Sequence, residues 1–416
     1  MSVLLVWLFV WLGARMPLLQ SAPSADTLLR RAAQEGAPLV DRIEGDGRYV
    51  LVTFVWRGSA ETKNIAVIGT FLNAPLVAMA RLGDSSVWYL TTKVPAGARF
   101  AYWLAENSPM VTEGSQVASM LAALQADPLN SHRTCAADAP LKGCKSTVEL
   151  PGAPPQPWIV RHASAPAGQV ARYSLKSERL KNERTVSVYT PAAYRTSGEP
   201  NALMIVFDGD MYLSAVPTPT ILDNLIEASR IPLMVAVFVD NPDQETRTRE
   251  LTPNPDFPEF LASELLPWIH ARYHVTKDPR LTVIAGSSYG GLAATYAALR
   301  HSEIFGNVLC QSGDFSWAPD HIHVMGRLAD ATTETGWLAK EFIRGPKLPI
   351  RFHMDAGTFE VDQVGTGGNV LETSRHMRDV LLAKGYEVHY RQVVGGHDYL
   401  RWRETLADGL IELIGR

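Results

Sequence analysis

The sequence lacks any block of clustered Lys and Arg, and its 39 basic and 43 acidic residues leave a net charge of −4. A chain without a basic patch does not attract the phosphate backbone of nucleic acids, so nucleic acid is excluded as a partner. The chain also lacks internal repeats, and no apolar run after the first 24 residues is long enough to span a bilayer. What remains is a globular composition, 46% hydrophobic and 20% charged.

The first 24 residues differ from the rest of the chain. Residues 3–13 are almost wholly apolar, which is too short for a comfortable membrane span but typical of the hydrophobic region of a signal peptide. Small residues at positions 22 and 24 provide a cleavage site. We therefore expect residues 1–24 to be a signal peptide and the mature protein to be periplasmic or secreted, without integral membrane association. The alternatives are an uncleaved anchor or a true start at Met16, and without a signal peptide the protein would be cytoplasmic.

A chain of 416 residues exceeds what one hydrophobic core usually serves, so two domains are expected. Residues 25–150 contain short β-type runs separated by turn residues, a spacing typical of an antiparallel β-sandwich. Residues 151–165 begin with the proline-rich PGAPPQP and form the predicted linker. Residues 166–416 alternate apolar strands with amphipathic helices, one of them expected over 257–272. This alternation predicts a mainly parallel, doubly wound sheet of the α/β class, with its chemistry at the carboxyl ends of the strands.

The three cysteines divide into a pair and a single residue. Cys135 and Cys144 lie close together in a loop-like stretch. In an exported protein they could close a small disulfide loop, and the alternative is a pair of surface thiols. Cys310 ends the segment 307–310 and is predicted to be a buried strand thiol.

One run carries the strongest chemical signal: VIAGSSYGGL, at positions 283–292. An apolar β-branched segment stops at a glycine, Ser288 stands at the centre of G-x-S-x-G, and an alanine-rich helical pattern follows. This strand–turn–helix setting is that of a nucleophile elbow, in which Gly286 and Gly290 leave room for the tight turn. Ser288 is therefore the candidate nucleophile, and Ser287 beside it is expected only to line the turn.

A serine hydroxyl needs an adjacent base, and His397 is the best candidate among the 11 histidines. It follows a strand and stands on a glycine-cleared loop before the last helix, where an α/β-hydrolase places its base. An acidic partner is expected between Ser288 and His397, and the segment 352–360 supplies Asp355 and Glu360. We favour Glu360 because it lies beyond the strand end, on the loop, and Asp355 is the alternative.

Backbone N–H groups are expected to stabilise the oxyanion of the reaction. One donor is predicted at Tyr289, directly after the nucleophile. The other is predicted in the turn that follows the apolar run 203–207, where Gly209 permits the turn and the donor is Gly209 or Asp210. The alternative for this segment is an ordinary strand-end turn.

The histidines do not form a recognisable metal site. His270 and His274 stand four residues apart on a predicted helix, a spacing that can bind a metal, but no third ligand accompanies them. His321 and His323 flank one isoleucine in a loop and are expected at the surface. No cofactor and no catalytic metal are therefore predicted. The tryptophans of the β-rich part are expected in its core rather than in a ligand platform: Trp56, Trp88 and Trp103.

Several segments together resemble the enterochelin (enterobactin) esterase family of α/β-hydrolases, and the resemblance covers most of the chain. The stretch 283–317 is similar to the family's AGxSxGGL elbow, its alanine-rich helix and its strand ending in QSG. GGHDYLRWR at 395–403 resembles the family's GGHD-x-x-x-WR ending, and TRTREL at 246–251 resembles its R-x-x-E-L run. In the N-terminal part, VTFVWRG and ADPLN resemble the family's Ig-like domain, which caps the active site.

The resemblance implies a serine carboxylesterase whose nucleophile, base and acid are Ser288, His397 and Glu360. Glu360 matches the glutamate of the family's A-G-x-x-E segment, in agreement with the choice made from the loop position. The implied reaction is hydrolysis of the serine ester bonds of a cyclic tri-catecholate siderophore, or of its iron complex, which would release iron. Iron would arrive with this small-molecule substrate, so the resemblance adds no cofactor.

The family also places an arginine near the substrate, and Arg247 matches it. This side chain could contact catecholate oxygens, and the alternative is a structural pair with Glu250. Trp402 is expected beside the active site as a substrate-binding residue. Two other functions stay open: the same catalytic core serves feruloyl and acetyl-xylan esterases, and a binding protein with a vestigial hydrolase is an alternative of another class. The sequence makes no prediction about oligomeric state.

Overall fold

The computed structural model describes residues 24–72, 76–110, 116–135, 139–319, 336–361 and 369–415, together with the backbone of a short ribbon at 323–324 and 327–328. The predicted signal peptide lies outside these ranges except for Ser24, as do His321 and the side chain of His323. The expectations attached to them therefore stay predictions. Ser24 caps the first helix, because its Oγ accepts a hydrogen bond from the Thr27 N–H at 3.2 Å.

The N-terminal part forms two antiparallel sheets. Its helices are α1 (Ala25–Glu35) and α2 (Val117–Ala122). Its strands are β1 (Leu39–Ile43), β2 (Asp46–Arg57), β3 (Ile65–Ile68), β4 (Leu76–Ala78), β5 (Ala80–Arg81), β6 (Val87–Pro95), β7 (Arg99–Glu106), β8 (Leu124–Gln125) and β9 (Ser146–Glu149). One sheet has the order β1-β2-β6-β5, and the other has the order β4-β3-β7-β8 with β9 paired to β7.

The two sheets share one hydrophobic core, as a β-sandwich requires. Phe54 of β2 is fully buried against Phe100 and Tyr102 of β7, and the Tyr102 hydroxyl donates to a buried carboxylate rather than staying unpaired. Because side chains alternate along a strand, Val55 faces away from this core and packs with Leu28 of α1. The β-sandwich predicted from the turn-punctuated pattern is therefore confirmed.

The three tryptophans of the sandwich occupy different environments. Trp56 is buried in the core, and Trp88 packs half-buried against it. Trp103 belongs instead to a smaller cluster on the other face of β7, beside α2, where it is half-buried. The expectation that all three tryptophans lie in the sandwich core is therefore wrong for Trp103, because its position along β7 has the opposite parity to the inward-facing Tyr102.

The C-terminal part is an eight-stranded sheet flanked by helices. Its strands are β10 (Gln169–Ser177), β11 (Asn182–Thr190), β12 (Ala202–Phe207), β13 (Met234–Val239), β14 (Thr282–Ser287), β15 (Asn307–Gln311), β18 (Arg351–Gly357) and β19 (Glu387–Val393), with β16 (His323–Val324) and β17 (Arg327–Leu328) forming the separate ribbon. Its helices are α3 (Gly209–Ser214), α4 (Thr218–Glu227), α5 (Gln244–Leu251), α6 (Asp256–Phe260), α7 (Leu266–His270), α8 (Tyr289–Arg300), α9 (Trp337–Arg344), α10 (Val370–Ala383) and α11 (Tyr399–Ile414).

The order of the large sheet is β10-β11-β13-β12-β14-β15-β18-β19, and the strands from β13 to β19 run parallel. Ile205 and Phe207 of β12 face one hydrophobic core, which includes residues of α8, while Met204 and Val206 face a second core with α4 and α11. A strand buried on both faces reads as a continuous apolar run, which is why LMIVF could be recognised. The predicted α/β class with a mainly parallel, doubly wound sheet is confirmed.

One helix is less regular than its sequence pattern predicts. The segment expected to form one helix over 257–272 consists of α6, a π-helical turn at Leu261–Leu265 and α7. Pro267, near the start of α7, has no N–H to donate to the α-helical ladder, so a regular helix cannot continue unchanged through this point. Among the helices of the described ranges, none is both long and apolar enough to cross a membrane.

The cysteines follow the predicted division. Cys135 and Cys144 form a disulfide with a Cα–Cα distance of 5.8 Å, in the loop that leads into β9. Cys310 is a free, buried thiol on β15, as predicted. The disulfide therefore closes a short loop, with a sequence separation of 9, directly before β9.

Arg99 of β7 joins the sandwich to the C-terminal part. Its side chain is 2% exposed and forms ion pairs with Glu149 of β9, at 3.0 Å, and with Glu404 of α11, at 2.5 Å. It also donates to the carbonyl oxygen of Pro154 in the proline-rich segment. The Arg99 backbone pairs with Gly395, in the loop after β19. Because a buried guanidinium is stable only with its partners in place, these contacts fix the two parts against each other.

Candidate active site

Ser288 stands in the sharp turn between β14 and α8. Its backbone has φ 57° and ψ −124°, a conformation that is costly for a residue with a side chain. The turn is held from both sides, because the Ser288 N–H donates to Gln311 O at 3.0 Å and the Ser288 carbonyl accepts from Asp314 N–H at 3.2 Å. Ser288 is half-buried, whereas Ser287 is fully buried at the end of β14. The local geometry is that of a nucleophile elbow.

The glycines around this turn are not equally constrained. A side chain at Gly286 would place its Cβ 2.4 Å from the backbone carbon of Gly290, which the turn brings directly above it. A Cβ at Gly290 would meet no atom closer than 3.4 Å. At Gly291 a Cβ would lie 2.8 Å from the sulfur of Cys310. The motif therefore requires glycine at 286 and 291 for lack of space, and the expectation that Gly290 is equally crowded is wrong.

His397 and Glu360 meet at the carboxyl edge of the sheet. Glu360 lies in the loop after β18 and His397 in the loop after β19, and Nδ1 of His397 is 2.9 Å from Oε1 of Glu360. The second carboxylate oxygen of Glu360 accepts the Gly357 N–H at 2.7 Å. Burial alone would raise the pKa of this fully buried carboxyl group, but the Arg401 guanidinium and the hydrogen bonds from His397 and Gly357 hold it below its ordinary value. Glu360 is therefore placed to orient the imidazole.

Asp355, the alternative acid, has a different partner. It lies on β18, fully buried, with Oδ1 2.5 Å from Nη1 of Arg401. Arg401 is itself 1% exposed and also donates to the Ser312 hydroxyl and, at 3.1 Å, to the Gly396 carbonyl. Its guanidinium is 3.7 Å from Glu360. The structure thus pairs His397 with Glu360 and gives Asp355 the role of counter-ion to a buried arginine.

Trp402 packs against the imidazole ring of His397. The two rings meet edge to face with a centroid distance of 5.0 Å, and the indole N–H donates to the Ser312 hydroxyl at 3.0 Å. Trp402 is only 3% exposed. The expectation that it lies beside the active site is correct, but the expected substrate-binding role does not fit, because a ring covered on nearly all sides offers no surface to a ligand. It packs against His397 instead.

The turn after β12 is the candidate oxyanion turn. Asp208 has a left-handed backbone with φ 54°, and α3 begins at Gly209. A Cβ at Gly209 would lie 2.8 Å from the side chain of Phe238 on β13, so the close approach requires glycine. The Asp210 N–H donates to Asp240 Oδ1 at 2.7 Å. Asp210 is therefore the wrong choice of donor, because its N–H already donates to Asp240. The remaining candidate donors are the N–H groups of Gly209 and of Tyr289, the first residue of α8.

Arg247 reaches this turn from α5. Two of its nitrogens contact the two carboxylate oxygens of Asp208 at 2.6 and 2.7 Å, and its guanidinium lies 5.9 Å from the centre of the Tyr289 ring. The alternative pair with Glu250 does not form, because Glu250 points into the core and pairs with Arg184 at 2.6 Å. Arg247 is half-buried and stands next to both the oxyanion turn and the elbow.

Asp240 adds a second carboxylate to the oxyanion turn. Its Oδ1 accepts from Asp210, while its Oδ2 is buried and has no hydrogen-bond partner within the described parts of the chain. Burial, opposed by the Asp210 N–H and reinforced by the nearby charge of Asp208, raises the pKa of Asp240 to about 6. Asp240 therefore loses its proton near pH 6, close to neutral pH.

Sequence reasoning did not find four residues that the site depends on: Arg401, Ser312, Asp208 and Asp240. Arg401 and Ser312 lie inside quoted motifs, so their proximity in sequence to His397 and to the QSG strand end was an available signal. Asp208 and Asp240 follow parallel strands, and the rule that such strand ends meet at one edge could have drawn attention to them. No group of three or more potential metal-binding His, Cys, Asp and Glu side chains occurs in the residues the structure covers.

Comparison with known proteins gives matches to both parts of the chain. The family described as "Putative esterase" matches residues 177–413, and the family described as "Enterochelin esterase, N-terminal" matches residues 51–159. The chain is 31% identical to the iron(III) enterobactin esterase of Dickeya dadantii (strain 3937), with 94% of each chain covered. It is also 31% identical to the iron(III) enterobactin esterase of Escherichia coli O6:H1, over 87% of this chain and 90% of the relative. The crystal structure of the enterobactin esterase of Shigella flexneri in the presence of enterobactin superposes with a TM-score of 0.73 at 27% identity, covering 95% of this chain and 99% of the other.

Proposed function

The chain belongs to the enterochelin esterase family, and is thus a carboxylic ester hydrolase; on that premise we propose that it hydrolyses the serine ester bonds of a catecholate siderophore of the enterobactin type. The observation that carries the chemistry is the 2.9 Å contact between His397 and Glu360 at the sheet edge that also carries the Ser288 elbow. The substrate class is supported by relatives named for enterobactin that align over both the sandwich and the hydrolase. Hydrolysis of the iron-bound siderophore would release iron.

In the first half of the reaction the Ser288 hydroxyl attacks an ester carbonyl carbon. His397 accepts the hydroxyl proton at Nε2, because its Nδ1 side faces Glu360. The Glu360 carboxylate fixes the ring orientation and stabilises the imidazolium. The Gly209 and Tyr289 N–H groups stabilise the negative charge that develops on the carbonyl oxygen.

In the second half the tetrahedral intermediate collapses to an acyl-enzyme, and the serine hydroxyl of the siderophore leaves with the proton from His397. A water molecule, deprotonated by His397, then attacks the acyl carbon and forms a second tetrahedral intermediate. When this intermediate collapses, the bond to Ser288 Oγ breaks, His397 returns its proton to Ser288, and a carboxylic acid is released. Repetition on a trilactone would give a linear trimer first and dihydroxybenzoylserine units last.

A buried ion network supports this chemistry from behind. Glu360 must stay ionised to stabilise the imidazolium, although it is 0% exposed. Arg401 supplies the compensating positive charge, and Asp355 holds Arg401 at 2.5 Å so that its charge is shared between the two carboxylates. Arg401 is therefore a positioning residue that acts through Glu360.

Arg247 is the proposed contact for catecholate oxygens. Its pair with Asp208 uses Nε and one terminal nitrogen, and the guanidinium has further N–H groups to offer. Its half-buried position next to Tyr289 supports a place at the substrate's edge rather than in the core.

We also propose that the protein acts in the periplasm or outside the cell, after removal of a signal peptide. The apolar segment 3–13 supports export, and the Cys135–Cys144 disulfide supports an oxidising compartment. Mass spectrometry of the protein from cell fractions tests this point. A mature N-terminus near residue 24 in the periplasmic fraction is expected, and an intact Met1 in the cytoplasm would contradict it.

The function is tested by incubating the purified protein with enterobactin, with and without iron, and with methyl ferulate, and resolving the products over time by chromatography. We expect dihydroxybenzoylserine monomers and oligomers. Ser288→Ala should abolish their release, and Ser287→Ala, at the neighbouring buried hydroxyl, should retain most of it. Rapid release of ferulate, with enterobactin left intact, would show instead that the substrates are esters of plant polysaccharides. No turnover of any ester, and no reaction with a fluorophosphonate probe, would favour a binding protein.

A further inference from the structure

Lys145 is a half-buried cation that no carboxylate of the described residues contacts directly. It follows the disulfide-bonded Cys144 and directly precedes β9. Its ammonium nitrogen lies 4.4 Å from the centre of the Trp103 ring, on the face of β7 that turns away from the sandwich core. Among the described residues, no Asp or Glu oxygen comes within the 4.0 Å of an ion pair with this nitrogen.

Backbone contacts place this part of the sandwich beside the catalytic loop. Arg99, at the start of β7, pairs with Gly395. Gly396 leaves no space for a side chain, because a Cβ there would collide with the hydroxyl of Thr70. The next two residues are His397 and Asp398. Lys145 is close enough to Asp398 for the two charges to interact.

Asp398 interacts with Lys145 without forming a direct ion pair. Its Oδ1 accepts the Arg401 N–H at 3.2 Å and thereby caps α11. Burial lowers the pKa of Lys145, and the Asp398 charge acts in the opposite direction without reversing the effect. A partly desolvated ammonium group whose only described close contact is an aromatic ring is unfavourable unless an anion completes the site. Lys145 therefore has Asp398 as a neighbouring charge, but no carboxylate of the described residues forms a direct ion pair with it.

The backbone of Lys145 is held by its neighbours on both sides of a disulfide. Its N–H donates to the Thr134 hydroxyl at 3.3 Å, and its carbonyl accepts the Thr134 N–H at 3.0 Å. The residues that flank this pair, Cys135 and Cys144, are joined by the disulfide. A cation on a cross-linked turn loses little freedom on binding, which favours recognition of a ligand over a role as a mobile surface charge.

We propose that Lys145 is a specificity-determining residue supplied by the N-terminal sandwich, and that its ammonium group binds a catecholate oxygen of the substrate. The inference rests on the proposed function, because it takes the siderophore as the anion. Catechol groups lose their protons on binding iron, so the ferric complex carries more negative charge than the free siderophore. Lys145 therefore favours the iron-loaded substrate.

The test compares Lys145→Met with wild type on ferric enterobactin, on iron-free enterobactin and on the neutral ester p-nitrophenyl acetate. Met keeps the length and the contact with Trp103 but removes the charge. We expect KM for ferric enterobactin to rise about tenfold, with a smaller change in kcat, because one charge-assisted contact is lost. The increase should be smaller for the iron-free form. Lys145→Arg should restore most of the affinity, and Lys142→Met, at an exposed lysine of the same loop, should match wild type.

Two results would overturn the inference while leaving the proposed function intact. One is an unchanged KM for ferric enterobactin in Lys145→Met. The other is an equal loss on the neutral ester and on the ferric substrate, since that would make Lys145 a counter-ion that supports Asp398 and the catalytic loop. A wild-type enzyme that cleaves p-nitrophenyl acetate but neither form of enterobactin would overturn the proposed function itself.

Discussion

The two sides of the Ser288 elbow are built differently. On the acid side, Glu360, Asp355 and Arg401 are buried, and opposite charges lie within 4 Å of one another. On the oxyanion side, Asp208 pairs with the half-buried Arg247, and Asp210 pairs at 2.7 Å with the exposed Arg172 of β10. The ion pairs are therefore buried on the acid side and partly open to solvent on the oxyanion side.

This difference indicates which side meets the substrate. A side whose ion pairs are buried can keep one geometry through the catalytic cycle, which the histidine and its acid require. A side whose ion pairs are partly exposed can exchange contacts with water for contacts with a ligand. Removing a residue from the acid side should therefore lower kcat or the stability of the fold, and removing one from the oxyanion side should change KM or the pH dependence.

The largest effect is expected for Glu360→Gln. The amide cannot stabilise the imidazolium of His397, so kcat should fall about 10⁴-fold with little change in KM. Steady-state kinetics with p-nitrophenyl acetate and with enterobactin measure both values. Asp355→Asn is the matched comparison, because Asp355 does not contact His397. If Asp355→Asn lost as much activity per folded molecule as Glu360→Gln, the assignment of the acid would be wrong.

Arg401→Met should mainly lower stability. It leaves two buried carboxylates, Asp355 and Glu360, without their shared cation, and breaking such a pair costs about 3–5 kcal/mol of unfolding free energy. Urea denaturation measures the change. Arg375→Met, which removes a partly exposed pair with Glu372, should cost less than about 1 kcal/mol. Equal losses of unfolding free energy in the two variants would show that the buried network stabilises the fold no more than an exposed ion pair.

The same substitution should also change the pH profile. Without Arg401, only His397 and the Gly357 N–H oppose the effect of burial, so the pKa of Glu360 should rise and the acid limb of kcat/KM should move to higher pH. An acid limb at the wild-type position in folded Arg401→Met would contradict the electrostatic role and leave only a packing role.

A smaller effect is expected for Arg247→Met on the oxyanion side. Loss of the guanidinium removes a contact to catecholate oxygens and leaves Asp208 beside the site without its partner. KM for enterobactin should rise about tenfold, with a smaller loss on p-nitrophenyl acetate. Arg249→Met, on the more exposed side of the same helix, is the control. A pure kcat effect on both esters would place Arg247 in the support of the elbow instead.

The smallest effect is expected for Asp240→Asn, and it should depend on pH. Because the pKa of Asp240 is raised to about 6 in the folded protein, this group lowers wild-type stability as the pH rises from about 4 to 6. The Asn variant lacks this loss and keeps an oxygen for the Asp210 N–H. Its unfolding free energy relative to wild type should therefore increase between pH 4 and 7, on the order of 1 kcal/mol after solvent screening. Parallel stability curves would contradict the shifted titration.

Local features of the site were predictable because they are encoded in short segments. The elbow around Ser288 needs only a strand, a tight turn and a helix within ten residues, and its glycine pattern is visible in one line of sequence. The loop positions of His397 and Glu360 follow from counting strands. The same applies to the buried strand β12, whose apolar run has no polar interruption.

Contacts between distant segments were not predictable in this way. Asp210 was a reasonable donor by position, but its N–H meets a carboxylate thirty residues away, at the end of the neighbouring strand. Arg247 was expected near Glu250 because they share a helix, yet helix rotation directs Glu250 into the core and Arg247 toward Asp208. Trp402 was expected to face the ligand, and packing of α11 against the sheet buried it.

The sequence by itself determined the α/β class, the sandwich before it, the nucleophile elbow and the histidine with its acid on two late loops. These features depend on periodicity and turn chemistry, which act over a few residues. Only the tertiary structure decided which carboxylate faces His397, which arginine neutralises the acid, which backbone N–H is left for the oxyanion and that Lys145 stands beside the catalytic loop. Each of these depends on strand order and on the docking of the sandwich, which bring together residues that lie far apart in the sequence.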